Sequence, residues 1–263
     1  MRRLLVSMLL AGVSTLGVAP GVTALEMPDY LVNTPVGSWV TMENTTTRGK
    51  KVEVVRMTKS LVGEEMIDGK RHLWVEVKTE VFKVSKSGQR KQTGDATIVK
   101  MLSDASMFSG DAANVMANLQ KLAIKLYIKT GDNVMDMSGG GAFASAMLKA
   151  SGSNFEFQMS DLNQDRDFDT PLGQVSAHGY KGVGDFEIKV IIKKIKTHIE
   201  SEMWLSKDIP FGLVEMISES VVNKKPESSH TVLIDGGMSG AKSEVDESTA
   251  TENPMNMFKI GQD

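Results

Sequence analysis

The segment Asp68-Gly69-Lys70-Arg71-His72-Leu73-Trp74-Val75-Glu76-Val77-Lys78-Thr79-Glu80-Val81 reads as a tight turn followed by one clean strand. Asp-Gly is a strong two-residue hairpin signal, because both residues tolerate the left-handed backbone that such a turn demands. Beyond it Leu73, Val75, Val77 and Val81 point one way, and His72, Glu76, Lys78 and Glu80 the other. A period of two marks a strand with one apolar face. Working outward, similar strands are expected over about 52–62 and 36–46, joined by Arg48-Gly49-Lys50, and over about 90–102 after Ser87-Gly88. From Val36 to Leu102 the pattern is therefore a β-meander.

Helical spacing follows. Val115, Leu119, Leu122 and Leu126 recur at intervals of three and four, widened by Met116, Ala123 and Tyr127, with Ser109 or Asp111 as N-cap and Gly131 as the stop. A shorter helix is expected over Ala142–Ala150, where Phe143 and Met147 share a face. Strand signals return over about 155–159, 174–180, 186–205, 211–222 and 230–235. In the long segment the apolar parity changes between Ile192 and Ile195, which predicts a β-bulge or strong bend. The expected fold is mainly β, α+β in class: a curved antiparallel sheet or incomplete barrel with one or two covering helices. One domain is expected over residues 25–235, with the helical insertion at about 109–152. From Gly236 to Asp263 few large apolar groups remain, and the composition reads as a disordered acidic tail.

The N-terminus carries Met1-Arg2-Arg3, an apolar run from Leu4 to about Ala19, and Val22-Thr23-Ala24. A basic start, a short hydrophobic core and a small-x-small ending make a signal peptide over residues 1–24, cut after Ala24. The run is too short, and too broken by Gly12, Gly17 and Pro20, for a membrane helix, so no span is expected after cleavage. The chain has no cysteine, and export without disulfides fits a bacterial periplasm. Cleavage leaves 28 basic against 33 acidic side chains, a net charge of −5. That balance argues against a nucleic-acid partner, which needs a concentrated basic face.

Chemistry-bearing patterns are few. Asp161, Asn163 and Asp165 match the first three ligands of a calcium loop, but Arg166 stands where glycine permits the sharp turn and Leu172 where the bidentate glutamate belongs. The stretch reads as a solvated acidic loop, with calcium binding left as the alternative. His72, His178, His198 and His230 are scattered without metal-type spacing. Gly237-Met238-Ser239-Gly240-Ala241 misses the serine-nucleophile pattern at its last position, and Gly139-Gly140-Gly141 lacks the lysine and hydroxyl of a phosphate loop. No enzyme, cofactor or metal is expected. The 18 methionines, Met101, Met107, Met116, Met135, Met137, Met147 and Met159 among them, would suit an adaptable apolar pocket.

Three stretches carry a family resemblance: Gly37-Ser38-Trp39-Val40; Val62-Gly63-Glu64-Glu65 with Asp68-Gly69-Lys70 and Trp74-Val75-Glu76; and Met203-Trp204-Leu205-Ser206 through Pro210-Phe211-Gly212-Leu213-Val214. Over about 36–235 the chain resembles the periplasmic lipoprotein-carrier (Lol-type) families and their uncharacterised relatives. The resemblance implies an incomplete barrel whose concave face holds acyl chains under a helical lid, with two strands meeting at a proline corner. It places no functional residue. The expected function is a periplasmic, non-catalytic protein that binds or carries a lipid or acyl chain, lined by Val75, Val77, Val81, Leu119, Leu122, Leu126, Phe143 and Met147. The alternative is a structural or interaction protein of the cell envelope with a filled core, no ligand and an envelope protein as partner.

Overall fold

The computed structural model describes residues 26–27, 34–85, 87–108, 110–111, 124–138, 154–190 and 193–252. The signal-peptide segment, and the lining candidates Leu119, Leu122, Phe143 and Met147, lie outside them.

Fifteen strands follow in chain order. They are β1 (Glu26–Met27), β2 (Trp39–Arg48), β3 (Lys51–Ile67), β4 (Lys70–Val84), β5 (Arg90–Gln92), β6 (Thr97–Asp104), β7 (Gly110–Asp111), β8 (Lys125–Thr130), β9 (Asn133–Asp136), β10 (Asn154–Thr170), β11 (Gly173–Val190), β12 (Lys193–Leu205), β13 (Leu213–Val222), β14 (Lys225–Gly237) and β15 (Thr251–Glu252). A 3₁₀ turn follows β6 over Ala105–Phe108, and another precedes β15 over Glu247–Thr249. β1 pairs with β7 alone; the other thirteen strands form one open sheet, ordered β10-β11-β12-β13-β14-β2-β3-β4-β6-β8-β9-β15 with β5 beside β4. All its pairings are antiparallel except that of β15 with β9. Neighbouring strands mostly follow one another in the chain; the order departs from sequence at β14 beside β2 and at β9 beside β15.

The Asp68-Gly69 hairpin forms as its residues require, with φ of 52° and 74°. Register shifts at Leu61/Gly63, Asp161/Asp165, Trp204/Leu205 and Leu233/Asp235 mark bulges, which bend strands and increase twist. The sheet bends enough that β10 touches β14, four places away in strand order. One apolar core draws on β2, β11, β12, β13 and β14; two others form around β4 and β6.

The structure corrects four expectations. The end of the expected first helix is instead β8, whose hairpin with β9 has Gly131 (φ 58°) in its turn; the rest of that helix and the helix expected over 142–150 lie outside the described residues. In Leu126-Tyr127-Ile128, alternation with Lys125 and Lys129 wins over a short-window match to helical spacing. The segment over 186–205 is not one bulged strand, because Val190 pairs with Lys193 and the chain reverses there. Ile191-Ile192 carries no turn residue, so the reversal leaves only a parity change as its trace. Asp161–Asp169 lies within β10 rather than in a free loop, bulged at residues 162–164 and closed by the Thr170–Gly173 turn. Residues 237–252 are not disordered: after β14 they run as a strap across the sheet. Gly237 allows this at once, since a Cβ there would lie 2.7 Å from Trp39 Nε1.

Candidate functional site

Pairing register carries one side-chain face across the sheet. Lys59 on β3 stands opposite Val40 on β2 and Val77 on β4; the row continues through Val99 on β6 to Ile128 on β8. Beside it runs Leu61, Val75, Met101 and Leu126. On the other side run Met42, Met57, Thr79, Thr97 and Thr130. Leu61, Leu73 and Val75 are buried, whereas Val77, Val99, Met101, Leu126 and Ile128 keep intermediate exposure. The face is therefore apolar, continuous over five neighbouring strands, and partly open to solvent.

One end of this face is stopped. Phe211, in the turn between β12 and β13, packs against both the Leu61–Leu73–Val75 cluster and the cluster of Val40 and Ile209. It adopts φ of 62°, a conformation that costs a non-glycine residue on the order of 1–3 kcal/mol. The turn holds it there: Ser206 N donates to Gly212 O at 2.8 Å, Gly212 N to Ile209 O at 2.9 Å, and Phe211 N to Thr34 Oγ1 at 3.3 Å. This is the proline corner expected from Ser206 to Gly212. Toward β11 the same face loses bulk, since its row there reads Thr46, Ser229, Ser218, Ser201 and Gly182. Ser218 Oγ is buried and without a hydrogen-bond partner.

Lys59 is the one cation in the apolar rows named above. Val55, Met57 and Leu61 share its parity along β3, so the lysine interrupts an apolar series that the sequence displays. Desolvation lowers its pKa from 10.5 to about 8, because surrounding protein disfavours the charged form. The residue keeps intermediate exposure.

The opposite face of β4 and β6 is covered by the strap. Glu76 and Lys100, opposite one another in register, are 4% and 6% exposed. Lys100 Nζ lies 2.7 Å from Glu247, donates to Ser243 Oγ at 2.9 Å, and sits 4.8 Å above the Trp74 ring. Ser243 Oγ donates to Glu76 Oε1, and Glu244 N donates to Glu76 Oε2 at 2.9 Å. Lys78 pairs with Glu244 at 2.8 Å, and Val245 is buried against Trp74, Ile98, Leu102 and Tyr127. The acidic composition that reads as disorder matches a lysine-bearing sheet face.

His178 lies elsewhere, on β11, with Nδ1 2.7 Å from Asp165 and Nε2 2.7 Å from Asp161. Both carboxylates raise its pKa. Asp161 also accepts from Asn163 N at 2.5 Å, and Arg166 pairs with Glu215 at 3.1 Å. The carboxylates of Asp161 and Asp165 thus converge on His178 across the bulge at residues 162–164, where Asn163 has φ of 52°. No group of three or more ligating side chains fit to hold a metal occurs among the described residues.

Of the predicted lining residues, Val75, Val77 and Val81 share one face of β4, and Leu126, expected on a helix, is delivered to that face by β8. Sequence reasoning missed Lys59, Met57, Val99 and Ile128, although parity along β3, β6 and β8 marks them. Among the described residues no helix is long and apolar enough to cross a membrane.

The chain matches no family model and no curated protein. Among the solved structures similar to it are the following two. One is a candidate lipoprotein from Parabacteroides distasonis, 13% identical, covering 79% of this chain and 98% of that one with a TM-score of 0.36. The other is a candidate exported protein with a YmcC-like fold from Bacteroides fragilis, 12% identical, covering 82% and 100%, with a TM-score of 0.37. Likeness of this degree leaves both fold and function to be argued from the chain itself.

Proposed function

We propose that the protein is an exported, periplasmic, non-catalytic binding protein of the lipoprotein-carrier type, holding a lipid or acyl chain on the apolar face of β2, β3, β4, β6 and β8. The observation that carries this reading is the unbroken row of half-exposed apolar side chains Val77, Val99 and Ile128, flanked by Met57, Met101 and Leu126. Apolar area left accessible on a bent sheet favours any ligand that removes it from water, at about 25 cal/mol per Å². Flexible methionines adapt such a surface to varied chains. The leader-like residues 1–24 support export.

The test is direct. Protein purified from an exporting host should release lipid into an organic extract analysed by mass spectrometry, and the emptied protein should take up a fluorescent fatty acid. Val77→Glu and Val99→Glu, at half-exposed positions, should abolish uptake while circular dichroism stays unchanged. Empty protein that also refuses the probe would end this reading. The complete burial of Leu61, Leu73 and Leu102 favours a second one, an envelope structural or interaction protein with a filled core. Cross-linking in cells to one dominant partner, with no lipid found, would support that reading.

A further inference from the structure

We infer that Lys59 anchors the head group on the apolar face: its ammonium takes the carboxylate of a fatty acid whose hydrocarbon lies over Val77, Val99 and Ile128. The inference rests on the ligand-binding reading above and names the class of ligand.

A lysine on an apolar face is costly unless its charge is paired or its tip reaches water. Lys59 has neither an ion pair nor a hydrogen bond among the described residues. The groups that face it from β2 (Val40, Met42), from β4 (Val77, Thr79) and along its own strand (Met57, Leu61) carry no charge. A tip extended freely into water would keep an ordinary lysine pKa, whereas desolvation depresses this one. The protein thus holds a cation that no group among the described residues neutralises, next to the closed end of a partly open apolar surface.

An anion supplied from outside would meet that cation, and the rest of the face limits what the anion can be. With a single cation in these rows, one negative charge is compensated and a second is not, which favours a carboxylate over a doubly charged phosphate. Thr79, diagonal to Lys59 in the register, carries a hydroxyl that can serve the second carboxylate oxygen. The apolar rows that lead away across β4, β6 and β8 suit a single unbranched chain.

The experiment compares palmitate, hexadecanol and hexadecyl phosphate as competitors of a fluorescent fatty acid on the purified protein. Lys59→Met should weaken palmitate roughly 10- to 100-fold, the effect of losing a charge-assisted hydrogen bond, and leave hexadecanol unchanged. Lys59→Arg should restore most of the palmitate affinity. Raising the pH from 7 to 10 should weaken palmitate binding as the amine loses its proton, without weakening hexadecanol. If palmitate and hexadecanol bind alike and Lys59→Met changes neither, the anchor is refuted while the apolar-ligand reading survives. If hexadecyl phosphate binds more tightly than palmitate, the carboxylate assignment is refuted. If the wild-type protein binds none of the three, both readings fall.

Discussion

His178 donates toward two carboxylates, one at each ring nitrogen, which only the doubly protonated ring can do. Its pKa is raised from 6.5, first by the hydrogen bond to Asp165 and then by that to Asp161, whose own pKa is lowered by Asn163 N and His178. The stability that His178 contributes is present below about pH 6.5 and lost as pH rises through its folded pKa. The contribution of Asp161 is present above the ordinary carboxylate pKa and lost as pH falls through its depressed one. We expect the His178 ring resonances to titrate above those of an unfolded histidine, and Asp165→Asn to bring their midpoint down; an unchanged midpoint would contradict the geometry. Lys59 has the opposite sign. Its charge is disfavoured below about pH 8, and the cost is relieved as pH rises toward 10.5. Lys59→Met should therefore stabilise the ligand-free protein at pH 7 by about 1–3 kcal/mol, discounted for partial exposure. The gain should shrink by pH 10, as thermal unfolding at the two pH values would show.

The strap over residues 237–252 is the element that the rest of the fold could have lacked. It places Val245 in the Trp74–Tyr127 cluster and Glu244, Glu247 and Ser243 over Lys78, Lys100 and Glu76. Val245→Asp buries an unpaired carboxylate and should cost about 2–4 kcal/mol. Lys100→Met leaves Glu76 buried opposite an apolar group and should destabilise more than the double change Glu76→Gln with Lys100→Met. A double-mutant cycle in urea measures that difference. Strand β10 makes a second prediction at this scale. Because Asp161 and Asp165 are both engaged by His178 across the bulge at residues 162–164, calcium at millimolar concentration should leave the melting temperature almost unchanged. A site filled at about 100 times its dissociation constant would add about 2.7 kcal/mol, several degrees for a chain of this size. A calcium-specific rise abolished by Asp165→Ala would refute the strand reading.

At the scale of the molecule, one sheet runs from β10 to β15 without closing, and its strand order joins the two halves of the described chain through β14 with β2 and through β15 with β9. Pairing residues as distant as Thr47 and Ser228 requires closing a long loop before contacts repay it, so folding should be slow. We expect refolding in the range of milliseconds to seconds. Substitutions at the β14–β2 seam, such as Leu233→Ala, should destabilise by about 2–4 kcal/mol, with stopped-flow fluorescence of Trp39 and Trp204 as the readout.

Much of this architecture was legible in local sequence. Asp68-Gly69 and the alternation from Leu73 to Val81 specify the β3–β4 hairpin, because turn geometry and side-chain period are properties of neighbouring residues. The turn from Ser206 to Gly212 stands where the family resemblance, rather than spacing, placed a proline corner. The apolar parity of Val75, Val77 and Val81 also marks one side of the candidate site. Three features were decided only by tertiary contact. Leu126 reads equally as helix or strand until β6 offers it a partner. The reversal between Val190 and Lys193 has no turn residue and is set by pairing along β11 and β12. The acidic segment after Gly237 is too poor in apolar groups to fold on its own. It becomes ordered because charge and one valine fit a lysine-bearing face assembled from β4, β6 and β8, strands that are brought together only by the fold.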